Sequence, residues 1–138
     1  MIIESIIERN VMNIDENSSA LDAAKLMTKH YIGSLVVTGR VGFRGIFTER
    51  DLMMDVIGDD KDPSSTKLTD IVRENFIRVN PQESAEQCLD LMKEHRCRHL
   101  LVFDNEDFVG LVSLRDMVVL LMEEKEQLID RLKDYIAT

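Results

Sequence analysis

Apolar residues along the chain switch between two periods, and the switches mark out the same series of elements twice. Ala20, Ala23, Ala24 and Met27 recur at three- and four-residue steps, the spacing of one helical face; Ala85, Cys88, Leu89 and Met92 repeat it. These predict helices over Ala20–His30 and Ala85–His95, with Ser19-x-x-Asp22 and Ser84-x-x-Gln87 at the N-cap positions. A short extended run precedes each helix, Val11–Ile14 or Phe76–Val79, and two more follow: Ser34–Thr38 with Phe43–Phe47, then His99–Phe103 with Phe108–Val112. The continuous runs Leu35-Val36-Val37 and Leu100-Leu101-Val102 suit buried strands covered by helices on one side. Gly39–Gly42 and Asp104–Asp107 have the length and composition of hairpin turns. A second helix begins near Glu49 in one series and near Leu114 in the other.

The two series are a duplication. Shifting the sequence by 65 residues lays 6–51 over 71–116 without a gap and gives 13 identities in 46 positions, where unrelated sequences of ordinary composition give about 3. The identities include Asn10/Asn75, Ser19/Ser84, His30/His95, Gly45/Gly110, Arg50/Arg115 and Asp51/Asp116. The expected fold is therefore α+β, of an α/β type. It has two β-α-β-β-α repeats with pseudo-two-fold symmetry, at 1–57 and 68–122, and a C-terminal helical extension at 123–138. The polar stretch 58–67, with Pro63 and two serines, reads as the linker. A repeat of about 50 residues folds marginally alone, whereas two can share a core.

Composition narrows the function. Of 138 residues 44% are hydrophobic and 31% charged, with a net charge of −9 that opposes nucleic-acid backbones and anionic lipid. The chain lacks a run of about 18 apolar residues, and Glu4, Glu8 and Arg9 interrupt any signal-peptide core, so the expected setting is the cytoplasm, away from membranes. Cys88 and Cys97 align with Ala23 and Ile32 and read as core residues rather than a disulfide, a metal site or redox sensors. The three histidines share no metal-ligand spacing; His30 and His95 suit the last turn of a helix, where a positive bias complements the dipole.

The strongest chemical signal is Gly45-Ile46-Phe47-Thr48-Glu49-Arg50-Asp51, echoed by Gly110-Leu111-Val112-Ser113-Leu114-Arg115-Asp116. In both, a strand ends at a hydroxyl residue and a helix begins. Thr48 or Ser113 with Asp51 or Asp116 makes a capping box, which stabilises a helix and needs no ligand. The same geometry also suits a nucleotide: free amides at a helix start attract phosphate, a hydroxyl donates to it, and a carboxylate one turn later accepts from ribose. Arg50 and Arg115 add charge-assisted contacts. Two copies in register favour the binding reading. No hydroxyl or thiol stands in a nucleophile–base–orienter pattern, so an enzyme is not expected.

Both segments resemble the CBS (cystathionine-β-synthase) domain, and the chain as a whole resembles a tandem CBS pair, or Bateman module, of the bacterial and archaeal stand-alone type. The pattern of Gly, two apolar residues, Thr or Ser, two further residues and Asp is met in both copies. The stretches MKEHRCRHLLV, FVGLVS and QLIDRLKDYIAT add to it. The resemblance implies a non-catalytic regulatory module that binds adenosine-containing ligands in the cleft between repeats and signals to an effector protein in trans. Asp51 and Asp116 would then hold ribose, and Thr48 and Ser113 would face phosphate. Gly33-Ser34 and Arg98-His99 would line the adenine or phosphate end, and backbone at Met12 and Ile77 would meet the adenine edge. AMP, ADP or ATP is the expected ligand, with AMP or ATP favoured and no catalytic cofactor; NAD(H), S-adenosylmethionine or a cyclic dinucleotide are alternatives, as is a ligand-free docking module. Arg98, His99 and Arg115 make the second repeat's loops the more positive. Glu8 and Arg73 occupy positions where the family often carries Thr, and they would repel and attract a phosphate respectively.

Val118, Met122, Lys125, Ile129, Leu132 and Ile136 follow steps of four and three, a heptad seam with one lysine. The resemblance to tandem CBS pairs, which commonly form two-fold dimers, implies a homodimer, and such a seam is also self-complementary. The alternative is an amphipathic helix lying back on its own chain.

Overall fold

The computed structural model describes residues 1–73 and 76–137. The chain forms two compact units, Asn10–Phe76 and Met1–Arg9 with Ile77–Thr138. In the first unit the elements are β1 (Asn13–Asp15), α1 (Ala20–His30), β2 (Ser34–Gly39), β3 (Gly42–Thr48) and α2 (Glu49–Asp51). Helix α2 runs on as π-helical turns over Leu52–Ile57, and a 3-10 turn follows at Leu68–Asp70. The second unit opens with a 3-10 turn at Glu4–Ile6 and continues with β4 (Arg78–Val79), α3 (Ala85–His95), β5 (His99–Asp104), β6 (Asp107–Ser113) and α4 (Leu114–Ala137). Each unit has a three-stranded sheet, β1-β2-β3 or β4-β5-β6, parallel at the first pair and antiparallel at the second.

The duplication holds at the level of backbone register. Asn13 pairs with Val36 as Arg78 pairs with Leu101, and Ser34 pairs with Thr48 as His99 pairs with Ser113. Even the ladder irregularity repeats, between Val37 and Thr38 and between Val102 and Phe103. Asn75, one of the identities, lies outside the described residues.

Helices α1 and α3 span the predicted ranges because both ends are specified locally. Ser19 caps α1 reciprocally: the Asp22 amide donates to Ser19 Oγ at 3.0 Å and the Ser19 amide to Asp22 Oδ2 at 3.1 Å. At α3 only the Gln87 amide donates to Ser84 Oγ, at 3.1 Å. Both helices stop at a residue in the left-handed region, Tyr31 at φ 53° and Arg96 at φ 52°. Their last turns carry Lys29 with His30 and Lys93 with His95, against the negative end of the dipole.

The leading strands are shorter than the apolar runs suggest. Instead of Val11–Ile14, β1 is Asn13–Asp15; instead of Phe76–Val79, β4 is Arg78–Val79. Each pairs only on one side and enters the ladder through a single preceding carbonyl, Met12 accepting from Val36 at 2.9 Å and Ile77 from Leu101 at 3.1 Å. The apolar residues before them serve packing: Met12 and Ile77 lie against the core of their own units.

Each compact unit includes the leading segment of the other repeat. The Ile3 amide donates to the Glu83 carbonyl at 2.9 Å and the Ala85 amide to the Met1 carbonyl at 2.8 Å. Their counterparts 65 residues away are Leu68 to Ser18 at 2.9 Å and Ala20 to Thr66 at 2.8 Å. Gly45 and Gly110 make room for the crossing: a Cβ on Gly45 would stand 2.7 Å from the Arg73 carbonyl oxygen, and one on Gly110 would collide with that of Glu8. The stretch read as a linker is tied down as well. The Pro63 carbonyl accepts from the Leu21 amide at 3.0 Å, and the Ser64 hydroxyl and amide both donate to Asp62, which holds that carboxyl below its usual range.

Candidate functional site

The twelve residues singled out from the sequence fall into two sets of six, one per unit. Met12, Gly33, Ser34, Thr48, Arg50 and Asp51 lie in the Asn10–Phe76 unit; Ile77, Arg98, His99, Ser113, Arg115 and Asp116 lie in the other. In each set the strand–helix junction is tied to the start of the central strand. The Glu49 amide donates to the Gly33 carbonyl at 3.0 Å, and the Leu114 amide donates to the Arg98 carbonyl at 2.8 Å.

The side chains at the two junctions differ. The Asp51 amide donates to Thr48 Oγ1 at 3.1 Å, and the Thr48 amide donates back to Asp51 Oδ2 at 2.9 Å, a closed capping box. Arg73 then approaches the remaining oxygen, its Nε 3.8 Å from Asp51 Oδ1, while its second guanidinium nitrogen donates to Asp55 Oδ2 at 3.1 Å. The bond it donates to Asp55, reinforced by the Asp51 charge, raises the Arg73 pKa above its ordinary value. The Glu49 carboxylate covers Gly33, with Oε1 3.1 Å from where a Cβ would stand.

At the other junction the Asp116 amide donates to Ser113 Oγ at 3.1 Å. Among the described residues, however, the Asp116 carboxylate accepts no hydrogen bond and no cation pairs with it. Leu114 stands where Glu49 does, Leu120 where Asp55 does, and Glu8 where Arg73 does. The Glu8 backbone pairs with Leu111 in both directions, at 2.8 and 3.0 Å, which sets it beside the strand leading to Ser113. Arg98 and Arg115 are exposed, and His99 is half-buried.

Sequence reasoning did not assign Glu49 or Asp55 to a site, and it gave Arg73 only as a residue that would attract a phosphate. Asp55 follows Asp51 by four residues on one helix face, a signal that was legible. Arg73 was visible as an unusual residue, but only the exchange of leading segments shows which aspartate it faces. The carbonyls of Met12 and Ile77 already accept sheet hydrogen bonds, so an adenine edge there has the second lone pair or the amide to meet.

An open hollow of about 480 Å³ adjoins the Thr48 junction, lined by Met27, Tyr31, Gly33, Glu49 and Leu52. A second, about 520 Å³, is polar and lined by Glu4, Arg9, Asn80, Gln82, Asp104 and Asn105, away from the Ser113 junction residues. Among the described residues no three metal-ligating side chains cluster, and no helix is long and apolar enough to cross a membrane. Burial pushes the Cys97 thiol up and the Cys88 thiol to about 11, so both are protonated and poorly nucleophilic at neutral pH.

Comparison with known proteins agrees with the repeat architecture. The CBS domain model matches residues 3–58 and again 68–123. The chain is 34% identical over 125 residues to CBS domain-containing protein CBSX3, mitochondrial, of Arabidopsis thaliana, covering 87% of this chain and 61% of that protein. It is 26% identical to the CBS domain-containing protein YhcV of Bacillus subtilis, covering 85% and 83%. The chain thus spans less than two thirds of the Arabidopsis relative and most of the Bacillus one. Among solved structures, the CBS domain protein NE2398 superposes with a TM-score of 0.80 at 27% identity, over 88% of this chain and 98% of that one. A CBS-domain protein of Burkholderia ambifaria, described as a candidate for signal transduction, superposes with a TM-score of 0.77 at 34% identity, over 83% and 85%. With two matched domains, two sheets in one repeated register and these neighbours, the chain belongs to the CBS domain family, as a tandem CBS pair.

Proposed function

We propose that this CBS pair, a regulatory or signal-transduction module like its relatives, binds an adenine nucleotide, AMP or ATP, and relays its presence to a partner protein. The observation that carries the reading is the repeated junction, where a hydroxyl and a carboxylate one turn apart stand at a helix start beside an arginine. Amides and the hydroxyl suit phosphate, the carboxylate suits ribose, and arginine supplies charge. No covalent step is involved. The cytoplasm, where such nucleotides abound, is the proposed location. Relay requires only that ligand and partner prefer the same one of two conformations. A thermal-shift panel of AMP, ATP, NAD, S-adenosylmethionine and a cyclic dinucleotide tests the reading. A ligand at about 100 times its Kd adds roughly 2.7 kcal/mol, several degrees for a protein this size. AMP or ATP is expected to give that shift; a panel with no shift overturns the AMP or ATP reading and points to vestigial pockets or to a ligand outside the panel.

The second half of the proposal is a homodimer through α4. Val118, Met122, Ile129, Leu132 and Ile136 are all exposed in the single chain, so the helix does not lie back on itself along this seam. The exposed Val118, Val119 and Met122 have exposed apolar counterparts in Met53, Met54 and Ile57, so the uncovered stripe is itself duplicated. A second copy matches a heptad seam with itself, and Lys125 within it sets the register. The double variant Ile129→Glu/Leu132→Glu is expected to run as a monomer in light scattering where the parent runs as a dimer. Identical masses for the two exclude this interface.

A further inference from the structure

The two junctions are built from the same repeat yet present their aspartates in opposite states, and three residue differences between the repeats account for it. We propose that Arg73 latches the Thr48–Asp51 junction, so that the chain takes its adenine nucleotide at the Ser113–Asp116 junction alone; the inference rests on the nucleotide-binding reading above. Asp51 gives one oxygen to the Thr48 amide and faces the Arg73 guanidinium with the other, its side chain only 15% exposed. Asp55 holds that guanidinium in place with a 3.1 Å hydrogen bond. A ribose that claimed Asp51 would have to break into this set. A phosphate entering by Gly33 would also meet the Glu49 carboxylate that covers it.

Each of these obstacles is removed in the other unit by one residue of the duplicated sequence. Glu8 in place of Arg73 is an acid and cannot pair with Asp116, so that carboxylate stays open to ribose. Leu120 replaces Asp55, the anchor of the latch, and Leu114 replaces the covering Glu49. Arg98 stands where Gly33 does, and Arg98 with Arg115 outweighs the one added negative charge of Glu8. A nucleotide phosphate there meets cations, and its ribose meets a carboxylate that has no partner among the described residues.

Calorimetric titration of the full chain with AMP, and in parallel ATP, tests the latch through stoichiometry. One nucleotide per chain is expected. Asp116→Asn should abolish that binding and Asp51→Asn should leave it within about twofold, each variant being checked by its melting curve. In Glu49→Leu/Arg73→Ser, which removes the cover and the latch, a second nucleotide per chain should bind. That second site should appear because the Glu49 carboxylate facing an incoming phosphate is gone together with the Arg73–Asp51 ion pair, whose own share is small since Arg73 is largely exposed. Two nucleotides per chain in the parent, binding lost with Asp51→Asn but kept with Asp116→Asn, or no second site in the double variant would each overturn the latch. No heat with any variant, including the unlatched one, would instead overturn the nucleotide-binding reading itself.

Discussion

Ile3→Ala is expected to destabilise the protein by about 2–5 kcal/mol, and to do so in the unit built from the second repeat. Ile3 is fully buried among Val79, Ala85, Cys88 and Leu100, all far from it in sequence. Its counterpart Leu68 is fully buried with Ala20, Leu35, Phe47 and Val56, so Leu68→Ala should cost a similar amount in the other unit. Total stability alone would not show the exchange of segments; local stability does. By native-state hydrogen exchange, Ile3→Ala should strip protection from β5 and β6 more than from β2 and β3, and Leu68→Ala the reverse. An Ile3→Ala variant that loosened β2 and β3 instead would place the segment in the wrong unit. The crossing has its own requirement at Gly110, where the Glu8 backbone passes so close that no side chain fits.

What the sequence carried was whatever the duplication repeats locally. Helices α1 and α3 follow from apolar spacing and a serine cap, and the hairpins follow from Gly39–Gly42 and Asp104–Asp107. The gapless 65-residue shift even anticipates the matched ladder registers. Less legible was anything decided by a partner distant in sequence. Strand β1 begins only at Asn13, while Met12 packs against the core of its unit, so apolar residues at Val11 and Met12 overstated the strand. Membership of residues 1–9 and 66–73 in opposite units is likewise invisible to periodicity, because an apolar Ile3 or Leu68 packs equally well in principle against either core. The inequality of the two junctions follows from that exchange: Arg73 reaches Asp51, and Glu8 sits beside the strand leading to Ser113. The charge contrast was read from Arg98, His99 and Arg115 and from Glu8 against Arg73, while Glu49 and Asp55 join the comparison only through the structure.

Asp51→Ala and Asp116→Ala separate helix capping from ligand binding, because the two aspartates carry different structural duties. Asp51 accepts a hydrogen bond from the Thr48 amide and partners Arg73, so its loss should cost about 1 kcal/mol or somewhat more in stability. The ion pair adds little to that figure, since Arg73 is 62% exposed and water screens it. Asp116 accepts no such bond among the described residues, so Asp116→Ala should stay within about 0.5 kcal/mol of the parent. Ligand response should rank them the other way. Losing two ribose hydrogen bonds to a carboxylate costs roughly a hundredfold or more in affinity, so the AMP or ATP shift should vanish in Asp116→Ala. Asp51→Ala should melt lower than the parent yet keep its nucleotide shift. If the junctions are caps and nothing else, stability would fall for Asp51→Ala as stated, and neither variant would change a ligand response. A carboxylate with no structural partner and a large effect on nucleotide affinity is hard to reconcile with a helix cap. For that reason Asp116→Ala, the quieter variant in a melting experiment, decides more about function than its counterpart.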